Sequence, residues 1–281
     1  MIDFHTHPLL VREMIKKYPD LGRIAREVFL IGNNFQPLET FHLELDVAGL
    51  DSAVILPIDA TTSKGCKIYS NEQIAELCRM SKRLIGFASV DPHKESAAKD
   101  LEHAIKKLKL RGLKLSPSTQ EFFPNDKSAY PIYEKAQELG IPVLFHAGMS
   151  WEPKAKAKYG QPVYFEDVAY DFPKLNMVIA HFAWPWVLEA VMLALKYPNV
   201  FIDTSCLYFD NPVDFINFVM TKQVPLTVIE RSLRHQIVFG SNYPRVEIKN
   251  MVKAVKSLGL SERTLELIFK SNAAKLLGEV S

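Results

Sequence analysis

The residues of this chain best placed to do chemistry are His5 and His7, which flank one threonine in the opening segment Met1-Ile-Asp-Phe-His5-Thr-His7. Side chains alternate across an extended strand, so residues two apart share a face. Two imidazoles on one face at a strand end form a claw for a divalent metal, although the same pair could be structural. Three further apolar runs end in a comparable way. Pro142-Val-Leu-Phe-His146 and Met177-Val-Ile-Ala-His181 each close on a histidine, and Ile237-Val-Phe-Gly-Ser-Asn242 closes on an amide. Polar groups gathered at strand C-termini are the arrangement of a (β/α)8 barrel, whose chemistry is built from the ends of several strands.

Along the chain, eight strand-like runs alternate with helical patterns, the βα signature. The runs are Ile2 to His5, Ser52 to Ile58, Leu84 to Val90, Gly112 to Leu115, Val143 to His146, Met177 to His181, Val200 to Asp203 and Ile237 to Gly240. Helices are expected over Asn71 to Lys82 and Ala97 to Lys109, where Ile74, Leu77 and Cys78, and Leu101, Ile105 and Leu108, recur at helical spacing. No linker divides the chain, so the expectation is an α/β fold, a TIM-type barrel forming one domain over residues 1–281. Two stretches exceed ordinary loop length: a long insertion after strand 1, Pro8 to Gly49, and Gly148 to Phe165 with Trp151, Tyr159 and Tyr164. Such segments serve as lids or substrate walls, or pack as structural extensions.

Composition narrows the function classes. The 281 residues are 48% hydrophobic with a net charge of +2, enough for a large core. Lys and Arg are dispersed among Asp and Glu, which leaves nucleic-acid binding without an electrostatic basis. Cys66, Cys78 and Cys206 show no CxxC spacing and read as reduced thiols. With neither a signal-peptide pattern nor an apolar run of membrane length, no membrane association is expected and the cytoplasm is the default location. The expected partner is a small-molecule substrate; a homo-oligomer is left open.

The order of the motifs carries a resemblance. His5-Thr-His7, Gly112-Leu-Lys-Leu-Ser-Pro117 through Tyr130-Pro-Ile-Tyr133 to Phe145-His146-Ala-Gly148, His181, the stretch from Tyr197 to Ser205, Phe239-Gly-Ser-Asn-Tyr-Pro244 and the stretch from Ser271 to Gly278 together resemble the amidohydrolase superfamily. More narrowly they resemble its amidohydrolase-2 branch, which holds aminocarboxymuconate-semialdehyde decarboxylase-like and related hydrolases. The resemblance implies one divalent metal, zinc first and manganese as the alternative, held by His5, His7 and His146. It implies His181 beside the metal as an acid/base group. Three neutral imidazoles leave coordination positions open, so that a bound ion can acidify water or polarise a substrate oxygen. The expected activity is hydrolysis, hydration or non-oxidative decarboxylation of a small carboxylated molecule.

One position departs from that pattern. The family's eighth strand ordinarily supplies an Asp that ligates the metal and accepts a proton, whereas this chain has Asn242. An amide oxygen can ligate but carries no charge and cannot act as a base. Asn242 is then a neutral ligand in an enzyme that relies on His181, or the mark of a catalytically impaired, ligand-binding barrel, or a cloned variant. Lys114 and Arg245 are candidate clamps for a substrate carboxylate, with a paired buried lysine and a surface arginine as the alternatives. Trp184 is a candidate pocket wall or a packing residue. Asp3 and Asp203 could each orient an imidazole or serve as structural acids.

Overall fold

A computed structural model describes residues 1–7, 10–152, 154–205 and 208–279. All eight expected strands form: β1 Ile2–Thr6, β2 Ser52–Ile55, β3 Leu84–Gly86 continued as Ala88–Ser89, β4 Leu113–Leu115, β5 Val143–Phe145, β6 Met177–Ile179, β7 Val200–Asp203 and β8 Ile237–Val238. Each pairs in parallel with the next, as in Ile2↔Ser52, Ala53↔Leu84, Ala88↔Leu113, Leu113↔Val143, Val143↔Met177, Val200↔Met177 and Ile202↔Ile237. The ring closes between the β8 run and β1. There the Phe4 amide donates to the Phe239 carbonyl, the Asn242 amide to the His5 carbonyl and the His7 amide to the Tyr243 carbonyl, each at 2.8 Å. Together with the helices between strands, this is the expected (β/α)8 barrel.

Alternation along the strands separates two apolar layers. Ile2, Phe4, Val54, Phe87, Leu144, Val178, Phe201 and Val238 fill the barrel interior, and their neighbours Val143, Phe145, Met177, Ile179, Val200 and Ile202 face the outer helices. Asn71–Met80 is one such helix, started by a capping box in which Ser70 accepts from the Gln73 amide and Gln73 accepts from the Ser70 amide. Ala97–Lys106 is another, burying Leu101 and Ala104. No helix among the described residues is long and apolar enough to cross a membrane.

The second strand ends earlier than its apolar run predicts. Ser52–Ile55 forms the strand, while Ile58–Ala60 pairs antiparallel with Cys66–Ile68 in a small hairpin outside the barrel. Between β1 and β2 lie the helices Arg12–Lys17, Asp20–Glu27 and Leu38–Ala48. Leu10, Ala25, Phe29 and Ile31 from this segment pack on Ile58, Ala60 and Ile68 of the hairpin, a separate apolar cluster that stands over the barrel mouth. Cys66 and Cys78 are free thiols, and Cys206 lies outside the described residues.

Candidate active site

His5 reaches the mouth through an irregularity in β1. Asp3 pairs with Ala53 and Thr6 with Ile55, so three steps on β1 answer two on β2, which marks a bulge. Phe4 consequently stays in the interior cluster while the His5 imidazole also turns into the barrel. Asp3 does not orient an imidazole. Its Oδ1 accepts the amides of His5 at 3.1 Å and Ser241 at 3.0 Å, clipping β1 to the loop after β8. Gly240 makes room for this turn, because a Cβ there would meet the His5 Cβ at 2.7 Å.

Asp203 fixes the His5 tautomer. His5 Nδ1 lies 2.6 Å from Asp203 Oδ2, both fully buried. A carboxylate only accepts, so Nδ1 carries the proton and Nε2 keeps its lone pair. That Nε2 is buried with no hydrogen-bond partner among the described residues. The other carboxylate oxygen accepts the amides of His181 at 2.8 Å and Ser205 at 3.0 Å, and the Ser205 hydroxyl as well. Among the described residues, His5, His181 and Asp203 form the group whose donor atoms converge most closely. Asp203 is already saturated within it by hydrogen bonds.

His181 stands on an unusual backbone. It, Phe182 and Ala183 take φ of 59°, 49° and 49°, three successive left-handed residues without a glycine, a strain of the kind concentrated at functional sites. The turn packs against the loop after β5. Gly148, at φ 81°, allows the close approach, since a Cβ would lie 2.3 Å from the Trp184 carbonyl. It brings the rings of His181 and His146 to 5.0 Å and those of His5 and His181 to 4.9 Å; His5 and His7, both at the end of β1, lie 5.2 Å apart.

Proton counting in this cluster shows a deficit. Asp203 Oδ1 meets Ser205 Oγ; Ser205 Oγ meets His181 Nδ1 at 2.7 Å; His181 Nε2 meets His146 Nδ1 at 3.2 Å; and His146 Nε2 meets the Met149 carbonyl at 3.2 Å. Both ends of the chain only accept. One hydroxyl and two neutral imidazoles bring three protons to these four contacts. Extra protons are disfavoured: burial, the largest cause, pushes His5, His7 and His181 well below their ordinary 6.5 and His146 down to about 3. The cluster is a set of neutral imidazoles with lone pairs facing inward, and it fits a divalent cation.

Next to it lies a small cleft of about 40 Å³, lined by His7, His146, Lys114 and Arg245. Lys114 is fully buried and its Nζ has no hydrogen-bond partner among the described residues; burial draws it down to about 7 against the opposing pull of Asp203. Arg245 Nη2 donates to the Phe29 carbonyl at 2.8 Å, and burial lowers this guanidinium too. Two basic groups and one carboxyl, Glu152, thus line the cleft, with no ion pair joining them among the described residues. Asn242 is fully buried, at φ 68°, a left-handed position that Asn tolerates better than most residues.

Trp184 does not line this cleft. The left-handed turn carries it outward, where its ring packs 4.9 Å from Tyr208. The indole on the cleft wall is Trp151, from the long stretch after β5, and Phe29, Ile31, Ile58 and Ile68 supply the apolar sides. Ser205 and Glu152 are site residues that the sequence does not single out. Ser205 follows Asp203 at the end of β7, so its position is a usable signal; Glu152 has none beyond its place in a long loop.

A sequence profile described as Amidohydrolase matches residues 2–278. The chain belongs to the amidohydrolase family. Solved structures agree on the fold of this amidohydrolase. An uncharacterised TIM-barrel protein from Bordetella bronchiseptica superposes with a TM-score of 0.77 at 22% identity, covering 99% of this chain and 98% of the other. A probable 2-pyrone-4,6-dicarboxylic acid hydrolase from Acinetobacter baumannii, with citric acid bound, gives 0.67 at 17% identity, covering 99% and 98%. The 5-carboxyvanillate decarboxylase of Novosphingobium aromaticivorans, complexed with manganese and 4-hydroxy-3-methoxy-5-nitrobenzoic acid, gives 0.65 at 16%, covering 99% and 95%.

Proposed function

We propose that this amidohydrolase holds one divalent metal through His5, His7 and His146, with Asn242 as a neutral further ligand, and hydrolyses, hydrates or decarboxylates a small carboxylated molecule. The observation that carries the reading is the buried His5 Nε2, without a hydrogen-bond partner among the described residues, whose lone pair Asp203 aims away from itself toward neighbouring neutral imidazoles. A bound ion would supply an acidified water or a polarised substrate oxygen. Imidazole donors suit zinc, an amide oxygen suits the harder manganese, and one structural relative holds manganese.

The chain's own groups divide the remaining work. Lys114 and Arg245 attract the substrate carboxylate, Arg245 through a planar fork that matches it. Carboxylate ligands recur in the relatives, citric acid in one and a substituted benzoic acid in another. Asn242 cannot take a proton, so the base is His181. Its Nδ1 rests on Ser205 Oγ, which bonds Asp203, so a proton gained by the ring is stabilised through the hydroxyl by the carboxylate.

The test is a screen of carboxylic acids, lactones and aromatic acids for hydrolysis or carbon dioxide release, with metal-loaded and chelator-stripped protein. Turnover by the loaded protein alone supports the reading. His181→Asn should then cut kcat by about a hundredfold or more while keeping its metal. If that variant loses metal as completely as His146→Ala, His181 is a ligand, and the assignment of roles is wrong.

A further inference from the structure

At the end of the barrel opposite the histidines, two basic stretches that lie apart in the chain meet. Arg79 and Lys82 come from the end of the helix Asn71–Met80, and Lys107, Lys109 and Arg111 from the turn between the helix Ala97–Lys106 and β4. All five are exposed and line one open groove of about 540 Å³, into which Ser52 and Leu84 bring the first residues of β2 and β3. Leu84, Ile85 and Leu108 give it an apolar lining. The acids nearby are engaged elsewhere. Glu76 accepts from Lys17 Nζ at 2.8 Å and from Tyr18 Oη at 2.9 Å, Glu102 accepts from Lys106 Nζ at 2.6 Å, and Asp51 accepts from the amino group of Met1. Among the described residues Arg79, Lys82, Lys107 and Lys109 join no ion pair. The one carboxylate in the groove is Glu279, whose Oε1 lies 3.5 Å from Arg111 Nη2. Five cations against one carboxylate repel one another, and a multivalent anion relieves that repulsion.

We infer that this groove binds a polyphosphate anion, free or carried on a nucleoside, at a site separate from the chemistry of the barrel mouth. The guanidinium forks of Arg79 and Arg111 match phosphate oxygens in pairs, and the lysines act as point charges around them. Arg111 already has the Glu279 carboxylate beside it, so an anion of higher charge competes for a position that one anion occupies. The volume falls within the roughly 300–1,000 Å³ of small-molecule sites, and Leu84, Ile85 and Leu108 offer a base an apolar surface between the cations. A net charge of only +2 hides this local excess, because most of the chain's other cations have acidic partners on other faces. The groove is compact, which suits a terminal polyphosphate better than the extended backbone of a nucleic acid.

Calorimetric titration of metal-loaded protein with ATP, tripolyphosphate, adenosine and a short DNA duplex tests this. ATP and tripolyphosphate should bind with a Kd of about 100 μM or tighter at about 50 mM salt, and at least about tenfold more weakly at about 300 mM, while adenosine gives no measurable heat. Equal affinity for the two anions identifies the phosphates alone as the ligand, and a preference of about threefold or more for ATP adds the base; either result supports the site. Replacing both exposed lysines, Lys107→Glu with Lys109→Glu, should weaken ATP by about tenfold or more. Glu279→Gln should tighten it by about two- to fivefold, since it frees Arg111 from its carboxylate. Parental affinity in the double lysine variant overturns the inference, because the anion then sits on the metal or at the barrel mouth. No binding of either anion by the parent overturns it as well, as do adenosine binding as tightly as ATP, a DNA duplex binding more tightly than ATP, and no gain from Glu279→Gln.

Discussion

At the scale of one residue, the proposed metal site gives Asp203 the part of a carboxylate that holds an imidazole in place and does not itself ligate. Its hold on His5 Nδ1 keeps the lone pair on Nε2, and losing such a partner ordinarily costs ten- to a hundredfold in metal affinity. Asp203→Asn should therefore weaken metal binding by about that factor, measured by competition with a chelating dye; unchanged affinity would show that the tautomer is set elsewhere. Asn242→Asp should do the reverse, placing a negative charge beside the cation at little change in volume. Unchanged or weaker affinity in that variant would mean that Asn242 does not face the metal. Placement at strand ends makes His5, His7, His146, His181 and Lys114 legible in the amino-acid sequence. The role of Asp203 is not legible there, since a strand-end carboxylate can ligate a metal or hold an imidazole, and only its distance to Nδ1 separates the two.

Elements are where local pattern and fold part company. Alternation predicts that Asp3 shares the face of His5, but the bulge in β1 breaks the period, and alternation carries no sign of a bulge. Ser52 to Ile58 reads as one apolar run because nothing in its hydrophobicity marks where the barrel strand gives way to the hairpin. Nearness to His181 in the chain suggests Trp184 as a pocket wall, and the left-handed residues between them redirect the backbone. Turns of this kind are set by tertiary packing, which local sequence does not display. Gly240 is the corresponding test at this scale. Gly240→Ala puts a Cβ 2.7 Å from the His5 Cβ, so β1 or the imidazole must shift. The expected outcome is a loss of about 1–3 kcal/mol in stability by urea titration, with reduced metal content. Full metal retention at parental stability would show that His5 has more freedom than the packing implies.

For the whole molecule, burying several neutral histidines ties folding to pH. In the metal-free protein His5, His7 and His181 titrate well below 6.5 and His146 at about 3, so below pH 6.5 the unfolded chain binds more protons than the native one. Stability then falls as pH drops through that window. Asp3 acts in the opposite sense: burial raises it to about 7 from 3.8, so its contribution is lost as pH rises across that range. Four imidazoles against two carboxyls, Asp3 and Glu152, both raised by burial, give a net loss on acidification. Urea midpoints of the metal-free protein should be lower at pH 5 than at pH 7.5, and an equal or higher midpoint at pH 5 would contradict neutral burial of the cluster. Closing the barrel brings these histidines together from three separate strand ends, and the claim that they exist to hold an ion is tested most directly by elemental analysis. Protein and its His5→Ala variant, purified without chelator after growth with added zinc or manganese, should contain about one ion per chain and a small fraction of that, respectively. Equal metal content in the two, or near-zero metal in both, would contradict the account.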